Sequence, residues 1–218
     1  MRALAVALVL AAAARVSADG SSSSYFPLRV GNWWAYEELD DDGGRLSRET
    51  WTVVGGTPAD RAGEFRVRSA TKRFDVLGQT GGRRWEGEEY LRATPAGVRK
   101  RYPAGRDAEL DVLLLAEPLA SGTHWRDGQG ECEITVRETC AGPAGDVPDC
   151  AEVSCRLGHP TATVVTSTYA RGVGMVRQEI AVVQFLPALH GAAPVLLPCD
   201  SAQGGHSVLR LTAFHVGR

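Results

Sequence analysis

The sequence predicts an all-β or mainly β protein built from antiparallel strands. Apolar and polar residues alternate in many short runs, such as Thr50–Val53 and Leu209–Ala213, and a period of two is typical of half-buried strands. The chain also contains 25 glycines and 11 prolines in 218 residues, which supply frequent turn signals. After residue 18, no segment shows the sustained apolar stripe with a period of 3.6 residues that an amphipathic helix requires.

Residues 1–18 are interpreted as a cleaved export signal. Arg2 precedes the apolar run Ala3–Ala14, and Val16–Ala18 has the small-x-small pattern of a cleavage site before Asp19. The run is shorter than the roughly 20 residues that span a membrane, so no transmembrane segment is predicted. No cysteine lies near the cut, so we expect an exported protein, periplasmic or secreted, that is not lipid-anchored.

The predicted mature chain consists of a flexible serine-rich lead-in over 19–24 and a single β-rich domain over 25–218. A first strand ends at Leu39, and a hairpin loop follows at 40–44. Further strands are predicted at 47–54, 64–74, 83–92, 97–102, 131–138, 149–157, 161–170, 174–185 and 207–216. Turns or loops are predicted at 94–97, 139–148 and 187–205. Residues 108–117 fit either a buried strand or a few helical turns, since their apolar run has no readable period.

The charge balance excludes one class of partner. The chain has 24 Lys and Arg against 26 Asp and Glu, a formal net charge of −2. Proteins that bind nucleic acid through its phosphates usually carry a basic surface. We therefore expect no nucleic-acid partner.

Four phrases resemble a group of exported bacterial proteins whose function is uncharacterised. They are Tyr25–Tyr36 (YFPL-x-VGN-x-W-x-Y), Pro118–Trp125 (PL-x-x-G-x-x-W), Pro148–Val153 (with DC-x-x-V) and Tyr169–Arg177 (with YA-x-GVG-x-V). The resemblance implies a large curved antiparallel sheet, a half-barrel or open barrel with few short helices. Such a sheet is loosely similar to the LolA- and LolB-like carriers of periplasmic lipoproteins. The resemblance carries over no catalytic residue.

Three functions are compatible with these features. The leading hypothesis is a non-catalytic protein that binds an apolar small molecule or lipid, or interacts with another envelope component. Its candidate ligand-binding residues are Trp34, Trp51, Trp85 and Trp125. The second hypothesis is a structural protein in which the same aromatic residues fill the core and no ligand binds.

The third hypothesis is a hydrolase with a site near the loop 187–206. The sequence has no G-x-S-x-G, no H-E-x-x-H and no phosphate-binding glycine loop. Its histidines are isolated from one another: His124, His159, His190, His206 and His215. Catalysis is thus the less favoured interpretation, and no cofactor is expected.

The cysteines predict a disulfide-bonded hairpin. In antiparallel strands joined through 139–148, Cys132 lies close to opposite Cys155, and Cys140 close to opposite Cys150. Disulfides at both positions are the preferred pairing, with Cys199 unpaired, although Cys150–Cys199 stays open as an alternative. Without a C-x-x-C motif or a nearby pair of histidines, no zinc site is expected.

The acidic loop at 38–49 is a weak match to a calcium-binding loop. Its residues at the template positions are Glu38, Asp40, Asp42, Gly43 and Glu49. The first position is normally aspartate, and the flanking segments are predicted strands instead of helices. We interpret the match as accidental, and no metal is expected.

Overall fold

The protein is described by a computed structural model that covers residues 22–56, 63–74, 84–103, 109–127, 130–158, 161–186, 195–198 and 206–217. The predicted signal over 1–18 and Cys199 lie outside the described residues. Within them, thirteen strands form a single sheet, and the one helix is a short 3-10 segment, Ser22–Tyr25. Among the described residues, none of the helical structure has the length and apolar character of a membrane-crossing helix.

The strands follow the chain with short connections. They are β1 (Trp33–Leu39), β2 (Arg45–Gly56), β3 (Glu64–Arg73), β4 (Arg84–Thr94), β5 (Gly97–Pro103), β6 (Glu109–Ala116), β7 (His124–Asp127), β8 (Gly130–Gly142), β9 (Gly145–Leu157), β10 (Thr161–Ala170), β11 (Gly174–Leu186), β12 (Val195–Pro198) and β13 (His206–His215). The predicted turns at 40–44 and 94–97 are confirmed.

The sheet is antiparallel and curved, as predicted, and it curls further than the expected half-barrel or open barrel, into a nearly closed barrel. Its order is β6-β5-β4-β3-β2-β1-β13-β11-β10-β9-β8-β7, with β12 paired to the far end of β11. Register shifts interrupt the ladders between Ala35 and Tyr36, Val53 and Gly55, Val98 and Arg99, and Thr168 and Tyr169. Bulges of this kind bend the strand that carries them. The curvature brings the two terminal strands of the order, β6 and β7, next to each other.

The core lies on the concave side of the sheet. Residues directly opposite each other in antiparallel strands point to the same face. Tyr36 of β1 is opposite Leu211 of β13 in one inward-facing row, and Val53 of β2 is opposite Val67 of β3 in another. Fully buried side chains of both rows are joined by others from the remaining strands: Leu91, Val98, Leu115, Ile134, Met175 and Val176. The core concentrates at the barrel end where β1 begins and β10 finishes.

Four sequence expectations need correction or completion. Residues 109–116 form strand β6, which settles the ambiguous apolar run. The predicted strand-free interval 187–205 is wrong in part, because β12 pairs with the end of β11 that β13 does not reach. The predicted loop 139–148 is wrong in extent, because β8 continues to Gly142 and β9 begins at Gly145, which leaves a turn at 143–144. The short strand β7 was not anticipated.

Candidate functional site

One end of the barrel is closed by the first and last of the four sequence phrases. Trp34 is 1% exposed, and its indole N–H donates a hydrogen bond to the carbonyl of Val173. The Tyr36 hydroxyl donates to the carbonyl of Met175 at 3.1 Å. The bonds run from β1 to the turn before β11 and to β11 itself, and β1 and β11 are not neighbours in the sheet order. We call this the closed end of the barrel.

The segment before β1 packs over that end. The Phe26 ring lies 5.8 Å from Trp34 and 6.0 Å from Tyr169, centroid to centroid. The guanidinium of Arg171 lies 4.9 Å from the centre of the Tyr25 ring. Trp34 therefore acts as a packing residue, and it offers no surface to a ligand.

The barrel is closed laterally by a seam between β6 and β7. The backbone N–H of Leu113 donates to Asp127 Oδ2 at 2.5 Å, and the indole N–H of Trp125 donates to the carbonyl of Leu113 at 3.2 Å. Arg99 adds an ion pair to the same carboxylate at 3.7 Å. Side chains thus satisfy backbone groups of the β6 edge where another strand would otherwise pair. Trp125 is a seam residue.

An apolar cavity lies on the inner wall beside this seam. Its volume is about 120 Å³. Its apolar lining is contributed by β6 and by β8–β10: Val112, Leu113, Leu114, Val153, Leu157, Val165 and Tyr169. The Cys132–Cys155 disulfide forms part of the same wall. The space matches a short aliphatic group or a single ring, since an engineered cavity of about 150 Å³ binds benzene.

Few polar groups reach the apolar cavity. Gln178 Nε2 donates to Ser167 Oγ at 3.0 Å, and both residues line the space. Burial raises the pKa of Tyr169 to about 12, so its hydroxyl stays neutral at physiological pH. Asp127 lies at the seam side. An apolar wall with a small number of placed polar groups is typical of small-molecule sites.

A second, polar pocket lies at the opposite, open end of the barrel, and we call it the mouth pocket. Its volume is about 340 Å³. It is lined by side chains from β1–β4: Glu38, Ser47, Glu49, Thr71, Arg73 and Trp85. Trp85 is 46% exposed, with the Arg73 guanidinium 5.7 Å from its ring centre.

A mixed charge cluster connects the mouth pocket to the barrel interior. Glu49 accepts a hydrogen bond from the Trp51 indole at 2.7 Å, and burial, with Glu89 nearby, raises the pKa of Glu49. Lys100 pairs with Glu89 at 2.8 Å and lies 5.5 Å from the centre of the Trp51 ring. The ring of Trp51 is therefore already occupied by a cation of the protein itself.

The four tryptophans predicted to bind a ligand therefore lie in different parts of the barrel. Trp34 lies in the closed end, Trp125 in the seam, and Trp51 in the interior charge cluster. Trp85 is the most exposed of the four, although the Arg73 guanidinium lies over one face of its ring. Sequence reasoning missed the polar partners Ser167, Gln178 and Arg73. The signal that could have found them is strand parity, because alternate residues of a strand point to the same face.

The hairpin β8–β9 contains both preferred disulfides, Cys132–Cys155 and Cys140–Cys150. Cys132 and Cys155 are directly opposite, whereas Cys140 is opposite Val147 and reaches Cys150 diagonally. Asp149, beside Cys150, has φ of 53°, a conformation that is uncommon outside glycine. Disulfides of this kind persist in oxidising compartments, in agreement with an extracytoplasmic location.

The acidic loop does not assemble a calcium site. Asp40 Oδ1 accepts hydrogen bonds from the backbone N–H groups of Asp42 and Gly44, so it stabilises the turn. Glu38 accepts from Ser47 at 2.7 Å, and Glu49 points into the barrel. Across the part of the chain that the structure describes, no group of three or more His, Cys, Asp or Glu residues could hold a metal ion.

His206 lies between two carboxylates. His206 Nδ1 lies 2.5 Å from Asp41 and its Nε2 lies 2.7 Å from Glu179. The two contacts raise the pKa of His206, which favours the charged ring that donates to both. With both nitrogens committed, His206 is a poor general base. The predicted hydrolase loop falls largely outside the described residues, as do His159 and His190.

Comparison with known proteins gives fold-level likenesses only. No family model matches the chain, and no curated protein is significantly similar to it. One similar solved structure is a proposed lipoprotein from Parabacteroides distasonis, with 15% identity, a TM-score of 0.49, and coverage of 88% of this chain and 98% of that one. Another is a proposed exported protein from Bacteroides fragilis with a YmcC-like fold, with 13% identity, a TM-score of 0.47, and coverage of 86% and 96%. At these scores, neither likeness carries an inference about function.

Proposed function

We propose that this is a non-catalytic exported protein that binds the apolar part of a small molecule or lipid inside its barrel. The observation that carries the proposal is the apolar cavity of about 120 Å³ beside the seam. An unfilled apolar space forfeits dispersion contacts and destabilises a core. A ligand that fills it would restore those contacts and remove its own apolar surface from water.

The contrast between the two ends of the barrel supports the same function. At the closed end, Trp34, Tyr36 and Phe26 fill the interior with side chains. Beside the seam, Val165 and Leu157 remain only half-buried although they face inward. The inner wall is therefore incomplete where the cavity lies, and an apolar group of 120 Å³ or less fits it.

The test combines ligand discovery with a matched pair of variants. Protein purified from its own host is examined by native mass spectrometry, and the delipidated protein is titrated with the dye ANS. Val165→Trp fills the cavity, and Val164→Trp places the same side chain in a recess on the outer wall, next to His124 and Arg156. We expect Val165→Trp to weaken dye binding at least about tenfold, a loss of about 1.4 kcal/mol, and Val164→Trp to leave it unchanged.

Two results would contradict the proposal. One is a wild-type protein that carries no bound molecule and binds no dye. The other is dye binding that both variants reduce equally. Either result would favour the structural protein with a filled core.

A further inference from the structure

We propose that the mouth pocket is a second binding site, and that its ligand is a polyhydroxylated ring of the carbohydrate class. This site is separate from the apolar cavity, because it is built by β1–β4 whereas the cavity is built by β6–β11. The inference therefore does not depend on the proposed function above.

Strand register places the pocket's side chains on one surface in two rows. Glu38 lies opposite Ser47, which lies opposite Arg73. In the adjacent row, Glu49 lies opposite Thr71, which lies opposite Trp85. Directly opposed side chains in antiparallel strands have Cβ atoms about 5 Å apart. The rows thus form a compact patch of two carboxylates, two hydroxyls, a guanidinium and an indole.

The Trp85 indole is covered only in part, by the Arg73 guanidinium that lies 5.7 Å from its ring centre. Two residues after Trp85, on the same face, stands Gly87, which has no side chain to cover the ring. Gly87 cannot be enlarged freely, because a Cβ there would lie 3.0 Å from Ser69 Oγ. At 46% exposure, Trp85 keeps a large apolar face in contact with water inside a concave wall. That placement gives up hydrophobic stabilisation and creates a flat platform.

The chemistry around the platform fits hydroxyl groups better than the alternatives. A sugar ring offers a face of C–H groups to an indole and a rim of hydroxyls that both donate and accept. Glu38 and Glu49 are acceptors, Arg73 is a donor, and Thr71 can be either. A phosphate would be repelled by the two carboxylates that lie beside the single guanidinium, and a simple cation would be repelled by Arg73. Glu49 is partly buried, and this burial raises the pKa of its carboxyl group. Carboxylates with perturbed pKa values are enriched at binding and catalytic sites.

The experiment titrates the folded, signal-free chain with a panel of saccharides and two comparators. The saccharides are glucose, galactose, N-acetylglucosamine, maltose and cellobiose, and the comparators are adenosine and choline. Binding is followed by calorimetry and by saturation-transfer NMR. The variants are Trp85→Ala and Thr71→Val, and the control is Trp33→Ala, on the outer face of β1 where Trp33 pairs with Thr52.

We expect at least one saccharide to bind with a dissociation constant of about 10 mM or lower, and Trp85→Ala to weaken it at least about tenfold. Thr71→Val should weaken it less, and Trp33→Ala should leave it unchanged. Circular dichroism and thermal unfolding show that each variant is folded. The proposal is overturned if no saccharide binds, if adenosine or choline binds more tightly, or if Trp85→Ala binds as wild type does. Val165→Trp should not alter saccharide binding, so the two proposed sites fail or survive separately.

Discussion

His206 is the side chain for which the structure predicts the clearest pH dependence of stability. It joins Asp41, in the loop between β1 and β2, to Glu179 on β11, and Arg177 also pairs with Glu179 at 2.8 Å. The pKa of His206 is raised, first by the hydrogen bond to Glu179. The pKa of Glu179 is lowered, first by the hydrogen bond to His206. The charged ring, which belongs to β13, therefore joins the β1–β2 loop to β11.

Raising the pH should remove this connection. A histidine with a raised folded pKa contributes stability that is complete below its unfolded pKa of about 6.5 and is lost as the pH rises through the folded value. We expect the free energy of unfolding to fall between about pH 6 and pH 8.5 by no more than about 1 kcal/mol, because solvent screens partly exposed pairs. Urea unfolding at both pH values measures the fall.

The matched variant for this prediction is His206→Gln, which keeps a polar side chain of similar reach without a titrating ring. Its free energy of unfolding should vary less than that of wild type over the same pH range. An equal fall in both proteins would assign the pH dependence to other groups.

Gly174 is a second residue with a specific, testable role. Its φ is 109°, and a Cβ at this position would lie 2.8 Å from Trp34 Nε1. Gly172 has φ of 71° with open space around a Cβ. We expect Gly174→Ala to destabilise the fold by about 2–4 kcal/mol, because strain and a clash with a buried ring add. Gly172→Ala should cost about 1 kcal/mol from strain alone. Equal costs in urea unfolding would show that close packing against Trp34 is unimportant.

At the scale of elements, strand periodicity predicted most of the sheet. Alternation located β2, β3, β10, β11 and β13 because each has one face on the core and one in solvent. It could not settle β6, whose inner and outer residues are both apolar from Val112 to Leu115. It also missed β12 and β7, because a four-residue strand has too few positions to show a period, and its pairing depends on where a distant strand ends.

The β8–β9 hairpin offers a prediction that separates stability from binding. Its disulfides span sequence separations of 23 and 10. Chain entropy gives each a contribution of about 3 kcal/mol, slightly larger for the longer loop. Replacing either pair by alanines should therefore lower the free energy of unfolding by similar amounts in urea titrations.

Only one of the two pairs borders the apolar cavity. Cys132 and Cys155 line it, whereas Cys140 faces an outer recess with Arg137 and Thr139. We expect the double variant Cys132→Ala/Cys155→Ala to change ANS affinity and Cys140→Ala/Cys150→Ala to leave it unchanged, measured under conditions where both are folded. Unequal stability losses with identical dye binding would contradict this assignment.

For the whole molecule, closure is what the sequence could not reveal. The local sequence pattern predicted the antiparallel sheet and suggested four tryptophans as candidate ligand-binding residues. Whether the side chain of Trp85 is exposed and that of Trp34 is buried depends on which strands meet after the sheet has curled. Trp34 is covered by residues almost 140 positions away, since its hydrogen-bond partner is Val173. Trp125 joins Leu113 across two strands that share no backbone ladder. The candidate sites form only when these distant strands come together. Their residues could therefore be proposed from the sequence, but it could not be predicted which of them share a site.

The seam should be the weakest part of the barrel wall. Along the rest of the sheet order, neighbouring strands share backbone ladders, whereas β6 and β7 are joined through the side chains of Asp127 and Trp125. Local opening occurs first where few interactions hold a segment.

We expect amide hydrogen exchange to be faster for Leu113 than for Val153 on β9, which lies between two paired strands. Asp127→Asn should accelerate exchange at Leu113 further and leave Val153 unchanged, because the charge-assisted acceptor is lost only at the seam. Equal protection of both amides, or acceleration at both, would mean that the wall opens as one unit.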